Sequence, residues 1–141
     1  MTTETCNEVL LEGTAVDVPA LSHENHGARF YRFSLEVPRL SGQADVLPVL
    51  LPEALLLPLK PGDSVRIRGQ MRSFNNRSGV GSRLVLTVYA REIEEGEGAS
   101  RNHIRLCGTL CKPPVYRRTP LGRSICDLML AAPRRYGRAD Y

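Results

Sequence analysis

The chain has 141 residues, 42% of them apolar and 24% charged, with a formal net charge of +4. That bounds it to one ordinary globular domain or two very small ones and excludes a disordered tail. No apolar run approaches the ~18–20 residues of a membrane span. Met1-Thr2-Thr3-Glu4-Thr5 lacks the basic and apolar regions of a secretory signal, so a cytoplasmic location is expected.

Residues 8–16 alternate as a first strand, with Val9 and Leu11 between Glu8 and Glu12. Pro19, His23, Asn25, His26 and Gly27 mark 18–28 as a loop. Residues 29–37 alternate again. Tyr31, Phe33, Leu35 and Val37 share a core face, and Phe30, Arg32, Ser34 and Glu36 face outward. The apolar run from Val46 to Leu51 is a third strand, and Pro48 within it predicts an edge or a bulge. Residues 52–59 predict a short helical turn after Pro52, followed by a Lys60-Pro61-Gly62-Asp63 turn. Val65 and Ile67 then alternate with Arg66 and Arg68 in a fourth strand. Phe74 to Ser82 reads as a hairpin loop, and 83–93 as a fifth strand around Leu84, Leu86 and Val88. Five short strands with a helical element after the third have the count and order of an OB-fold barrel, an all-β fold.

The chain also matches itself at an offset of 95 residues. Asn7-Glu8-Val9-Leu10-Leu11-Glu12-Gly13-Thr14 aligns with Asn102-His103-Ile104-Arg105-Leu106-Cys107-Gly108-Thr109. Pro19 meets Pro114, Gly27 meets Gly122, and Leu35, Pro38 and Arg39 meet Leu130, Pro133 and Arg134. Nine of thirty-three pairs from 7 to 39 are identical without a gap, and a period this long points to a duplicated domain rather than a solenoid. The division expected is a complete domain at 6–95, a linker at 96–101, and the first two strands of a second, incomplete OB-fold at 102–141. Residues 1–100 hold ten basic and thirteen acidic side chains, against nine and two in 101–141. Seventeen of the nineteen basic residues are Arg, which suits phosphate and base contact, although a codon bias would give the same excess.

Asn-x-Val-x-Leu-x-Gly opening a strand, a Pro-containing loop and then Phe33-Ser34-Leu35 resemble the bacterial single-stranded DNA-binding protein family. So does Leu59-Lys60-Pro61-Gly62-Asp63-Ser64-Val65-Arg66-Ile67-Arg68-Gly69. In the second copy Asn102 to Gly108, Arg118-Thr119-Pro120-Leu121-Gly122, Leu130-Ala131 and Arg134-Arg135-Tyr136 resemble the family's first strand, turn and end of the second strand. The arrangement is similar to a Firmicutes-type subgroup with two such domains, the second cut short here. The resemblance implies sequence-independent binding of single-stranded DNA in replication, recombination or repair, through a basic groove and stacked rings. It covers most of residues 7–141. The chain departs from that pattern in having no Trp, and its third strand offers Asp45 and Leu51 where the family places aromatics.

The candidate nucleic-acid contacts are Phe30 and Arg32, the row Arg66, Arg68 and Arg72, Phe74 and Arg77 at the loop, and Arg118, Arg134, Arg135 and Tyr136 in the second copy. For the Arg row the plainer reading is a solvated strand face. Tyr31 and Phe33 read as core. No catalytic constellation, phosphate-cradling loop, metal set or cofactor site stands out, so no enzyme is expected. His23, His26 and His103 are too scattered for a metal, and the four cysteines read as packed thiols. The rival reading is an OB-fold primosome-type adaptor or assembly module working through protein contacts. Homo-oligomers, dimeric or higher, are expected through first-strand pairing or strand exchange. Replication or repair proteins are expected as further partners.

Overall fold

The computed structural model describes residues 6–75, 84–134 and 138–141. By contacts the chain divides into two compact units, Asn7–Arg105 and Leu106–Tyr141, the latter together with Cys6.

The strands of the first unit are β1 (Asn7–Ala15), β2 (Ala20–Asn25), β3 (Ala28–Pro38), β4 (Ala44–Pro52), β5 (Ser64–Asn75), β6 (Leu84–Glu95) and β7 (Arg101–Leu106). Their order in the sheet is β2-β3-β4-β6-β5-β1-β7, and a further pairing of β3 with β1 curls the sheet on itself. β1 pairs antiparallel with β3 and β5, β3 with β2 and β4, and β5 with β6, whereas β4 and β6 run parallel. This is the partly open five-stranded barrel of an OB fold with its second strand extended into a hairpin.

Alternation decides what fills it. Val9 and Leu11, Phe33, Leu35 and Val37, Val49 and Leu51, Val65 and Ile67, and Val88 and Ala90 point inward and form one core. A one-turn 3-10 helix at Glu53–Leu55 follows Pro52, and Leu59 beyond it is buried in that core. The expected turn at Lys60 is closed by the Asp63 carboxylate accepting from the Lys60 N–H at 2.9 Å.

Two expectations are corrected. The stretch predicted as a loop over 18–28 contains β2, a hairpin arm on β3 turning at His26 and Gly27, whose φ values are 50° and 79°. Positive φ at both central residues matches the twist of a two-residue hairpin. Every residue of β2 is exposed, so it has no buried face to announce it. Strand β4 is not an edge: β3 and β6 flank it. Its ladder to β6 holds only the pairs Val49–Val88 and Leu50–Tyr89, starting just past Pro48, which has no N–H to give.

Facing β6, Gly69 marks an irregularity. Arg68 pairs with Glu92 and Gly69 with Ala90, so Arg91 is the extra residue of a bulge. A Cβ on Gly69 would lie 2.0 Å from the Tyr89 carbonyl oxygen, so only glycine lets β6 approach this closely.

In the second unit β8 (Thr109–Leu110), β9 (Val115–Arg118), β10 (Ser124–Asp127), β11 (Leu130–Pro133) and β12 (Ala139–Asp140) form short ladders. Their registers repeat those of the first unit at the same offset of 95. Thr14–Glu36 and Ala15–Leu35 recur as Thr109–Ala131 and Leu110–Leu130. Val37–Asp45 and Pro38–Ala44 recur as Ala132–Asp140 and Pro133–Ala139. Gly13 crowds the Glu36 carbonyl and Gly108 that of Ala131. The correspondence therefore runs past Arg39 and Arg134, where the sequence match was read as ending, to the identical Ala-Asp pairs that open β4 and form β12.

Candidate nucleic-acid interface

Strands β3, β4, β6 and β5 carry the candidate surface on their outward side. Residues opposed across a ladder share a face. Arg32 is paired with Leu50, Leu50 with Tyr89 and Tyr89 with Gln70. Beside that row, Phe30 is paired with Pro52, Thr87 with Arg72 and Val85 with Phe74. Alternation alone sets this pattern, because Phe33, Val49, Val88 and Met71 of the same strands face the core.

The rings form a connected file. His23 on β2 stacks on Phe30 with centroids 4.9 Å apart and planes 13° apart. Phe30 meets Tyr89 at 6.4 Å, tilted by 47°. The Arg72 guanidinium lies 5.4 Å from the centre of the Tyr89 ring, within cation–π range. Its Nη2 donates to Gln70 Oε1 at 2.7 Å. Phe74, at the β5 end of the face, is 55% exposed. Stacking planes with a guanidinium held among them provide what single-stranded nucleic acid requires, π-faces for bases and a cation for phosphate.

The fourth-strand arginine row is split by its neighbours. Arg66 Nε donates to Glu12 Oε1 at 2.8 Å, and its other nitrogens reach Glu94 at 3.3 Å and Glu97 at 3.6 Å. Glu12 is wholly buried, and its second oxygen accepts from the Glu97 N–H at 3.2 Å. The Arg66 hydrogen bond, opposed by burial, holds the Glu12 carboxyl below the usual carboxylate range; the same bond raises Arg66. Arg66, expected in the phosphate track, is thus engaged in an ion pair with the buried Glu12. Arg68 is exposed but is paired with Glu92 in the ladder, so that end of the strand offers a phosphate both signs of charge. Only at Gln70, Arg72 and Phe74 does the row meet the neutral partners Tyr89, Thr87 and Val85.

In the second unit Arg118 is exposed on β9, paired in the ladder with Ser124. Arg134 is gripped by both oxygens of the buried Asp140, with Nε donating at 2.6 Å. This repeats the Arg39–Asp45 pair of the first unit, where Nε donates at 2.8 Å. Arg134, expected as a DNA contact, is thus engaged with Asp140. Arg77, Arg135 and Tyr136 lie outside the described residues. Asp45 and Leu51, matched by sequence to aromatic positions, serve an ion pair and the core. The outward residues of β4 are Val46, Pro48 and Leu50, while the rings come from its neighbours. Tyr89 and His23 were missed. Alternation against Leu84, Leu86 and Val88 contained the signal for Tyr89; His23 had none, because β2 read as a loop. Among the described residues no three His, Cys, Asp or Glu side chains converge to hold a metal ion.

No family model and no curated protein matches the chain. Solved structures do. The dimeric N-terminal domain of PriB from Thermoanaerobacter tencongensis is 40% identical, with 64% of this chain and 96% of that one covered and a TM-score of 0.56. The single-stranded DNA-binding protein of Thermus aquaticus is 25% identical over 94% of this chain and 71% of that one, at a TM-score of 0.73. A deletion mutant of the Thermus protein is similar in fold, at 23% identity and a TM-score of 0.72, over 98% of this chain and 74% of that one. Barrel topology and ring-bearing outer face define an all-β OB-fold protein. The chain belongs to the bacterial single-stranded DNA-binding protein family.

Proposed function

We propose that the chain binds single-stranded DNA without sequence preference and without catalysis, across the outward face of β3, β4, β6 and β5. The observation that carries this is the file His23, Phe30, Tyr89 and Arg72, with Phe74 and Arg32 beside it. Bases stack on Phe30, Tyr89 and Phe74. Arg32 and Arg72 contact phosphates, and Arg68 contributes at the margin. The Thermus neighbours are single-stranded DNA-binding proteins, which supports the reading at the level of the fold. Replication, recombination or repair is the process such binding serves.

The domain division proposed is a first OB domain at 6–95, a connecting segment at 96–101 and the opening strands of a second from 102. The repeated registers support it. The connecting segment is itself pinned: the Gly96 N–H donates to the Ser64 carbonyl at 2.9 Å and the Gly98 N–H to Ser64 Oγ at 3.2 Å. Oligomers are proposed as well, in keeping with the dimeric PriB domain. Within this chain β5 and β7 flank β1, so first-strand pairing would proceed by strand exchange, a second copy's strand taking the place of β7.

The test is fluorescence anisotropy of a labelled oligo-dT, titrated at two salt concentrations beside a duplex of equal length. Counterion release from single strands predicts affinity falling with salt at a log–log slope of about −0.7 per phosphate contacted. Binding that ignores salt, or a preference for duplex, overturns the proposal.

A further inference from the structure

Four cysteines are present and all are reduced in the structure. Their placements differ. Cys126 is paired with Tyr116 in the β9–β10 ladder, and the Cys111 N–H donates to the Met129 carbonyl. Cys6 and Cys107 instead face one another. Cys6 immediately precedes β1, Cys107 immediately follows β7, and those strands are neighbours in the sheet. The Cys107 N–H donates to the Cys6 carbonyl at 2.8 Å. Arg101 Nε at the start of β7 lies 4.0 Å from Glu12 Oε1 of β1, so the two contacts join residues six apart on each side and running in opposite directions, the spacing of an antiparallel pairing.

We propose that Cys6 and Cys107 are a redox-active pair that closes into a cross-strand disulfide. Directly opposed residues of an antiparallel ladder have Cα atoms about 4.5–5.5 Å apart, inside the 4.4–6.8 Å range that a disulfide spans. Their side chains leave the ladder on the same face. Both residues are partly exposed, so a small disulfide reaches them. One cysteine thiolate attacks a low-molecular-weight disulfide such as oxidised glutathione, forming a mixed disulfide and releasing one glutathione thiolate. The second cysteine thiolate attacks the protein sulfur and displaces the other. Two electrons pass to glutathione, and the two thiol protons leave with its reduced halves. The bridge ties the start of β1 to the end of β7 and closes the whole first barrel into a ring. Bridges between hydrogen-bonded partners are constrained, and constrained bridges reduce readily, so the pair acts as a reversible fastening.

The test incubates the full chain in glutathione buffers of stepped oxidation, quenches with acid, alkylates, and maps peptides without reduction. Expected is a species lighter by two hydrogens with the Cys6 and Cys107 peptides linked. It persists in Cys111→Ser/Cys126→Ser and disappears in Cys6→Ser and in Cys107→Ser. The oxidised chain melts roughly 5 °C or more above the reduced one. Glutathione adducts without linkage, bridges to Cys111 or Cys126, interchain dimers, or no reaction would each overturn the proposal.

Discussion

Replacing Tyr89 by Ala removes the middle of the ring file. Tyr89 touches Phe30 on one side and holds the Arg72 guanidinium on the other. A base stacked on an aromatic side chain is worth about 1–3 kcal/mol, so the lost stack weakens oligo-dT binding by about 5- to 150-fold. The cation–π contact with Arg72 adds about 0.5–1 kcal/mol at an exposed site. Tyr89→Ala and Arg72→Gln together should therefore cost less than the sum of the two, by about that amount. The Tyr89 ring is half-buried on the outer face, away from the core, so folding is little affected. Anisotropy with labelled oligo-dT at low salt measures the affinities, and circular dichroism melting checks the fold. Tyr89→Phe keeps the ring and should bind within about twofold of wild type. A folded Tyr89→Ala protein with unchanged affinity would refute the placement of the interface.

Arg72→Gln should flatten the salt dependence by about 0.7 in log–log slope, whereas Arg66→Gln should leave the slope alone; equal effects would show that the two ends of the row are not distinguished by their acidic partners. The folded protein holds the Glu12 carboxyl below its usual range, so the unfolded chain binds that proton first. The stability from this pair is then fully present above the unfolded carboxylate value of about 4.3 and is lost as pH falls through the lower folded one. Urea midpoints of wild type and Glu12→Gln should accordingly converge from about pH 5 downward, and a constant difference across that range would contradict the assignment. Gly69→Ala places a Cβ 2.0 Å from the Tyr89 carbonyl oxygen and must push β6 away. Denaturant unfolding should show a loss of about 1–3 kcal/mol, and unchanged stability would mean that the bulge is not tightly packed.

Much of the barrel was legible in the chain because a half-buried strand records its own orientation. Phe33, Leu35 and Val37 alternate with Ser34 and Glu36, so period two alone separates core from surface. The same logic placed Phe30 and Arg32 outward. The 95-residue repeat was visible as well, since identical glycines and prolines mark turns and close approaches whose backbone requirements sequence states directly. Strand β2 was hidden because it buries nothing, leaving its turn-forming residues to dominate.

Sequence by itself determined the all-β barrel, its outward faces and the family, all of which follow from local alternation, turn chemistry and spaced motifs. Only the tertiary structure decided which outward residues meet. Arg66 and Arg72 have the same period on one strand, yet the β6 partners of Arg66 and Arg68 are acidic and those of Arg72 and Phe74 are not. Arg134 and Arg39 look like loose surface charges until Asp140 and Asp45 arrive from the next strand. Tyr89 lies far in the chain from the hairpin pair His23 and Phe30 and joins their file through strand order and the bulge facing Gly69. Cross-strand neighbours are set by register and topology, which join residues distant in sequence; alternation along a single strand carries no information about them.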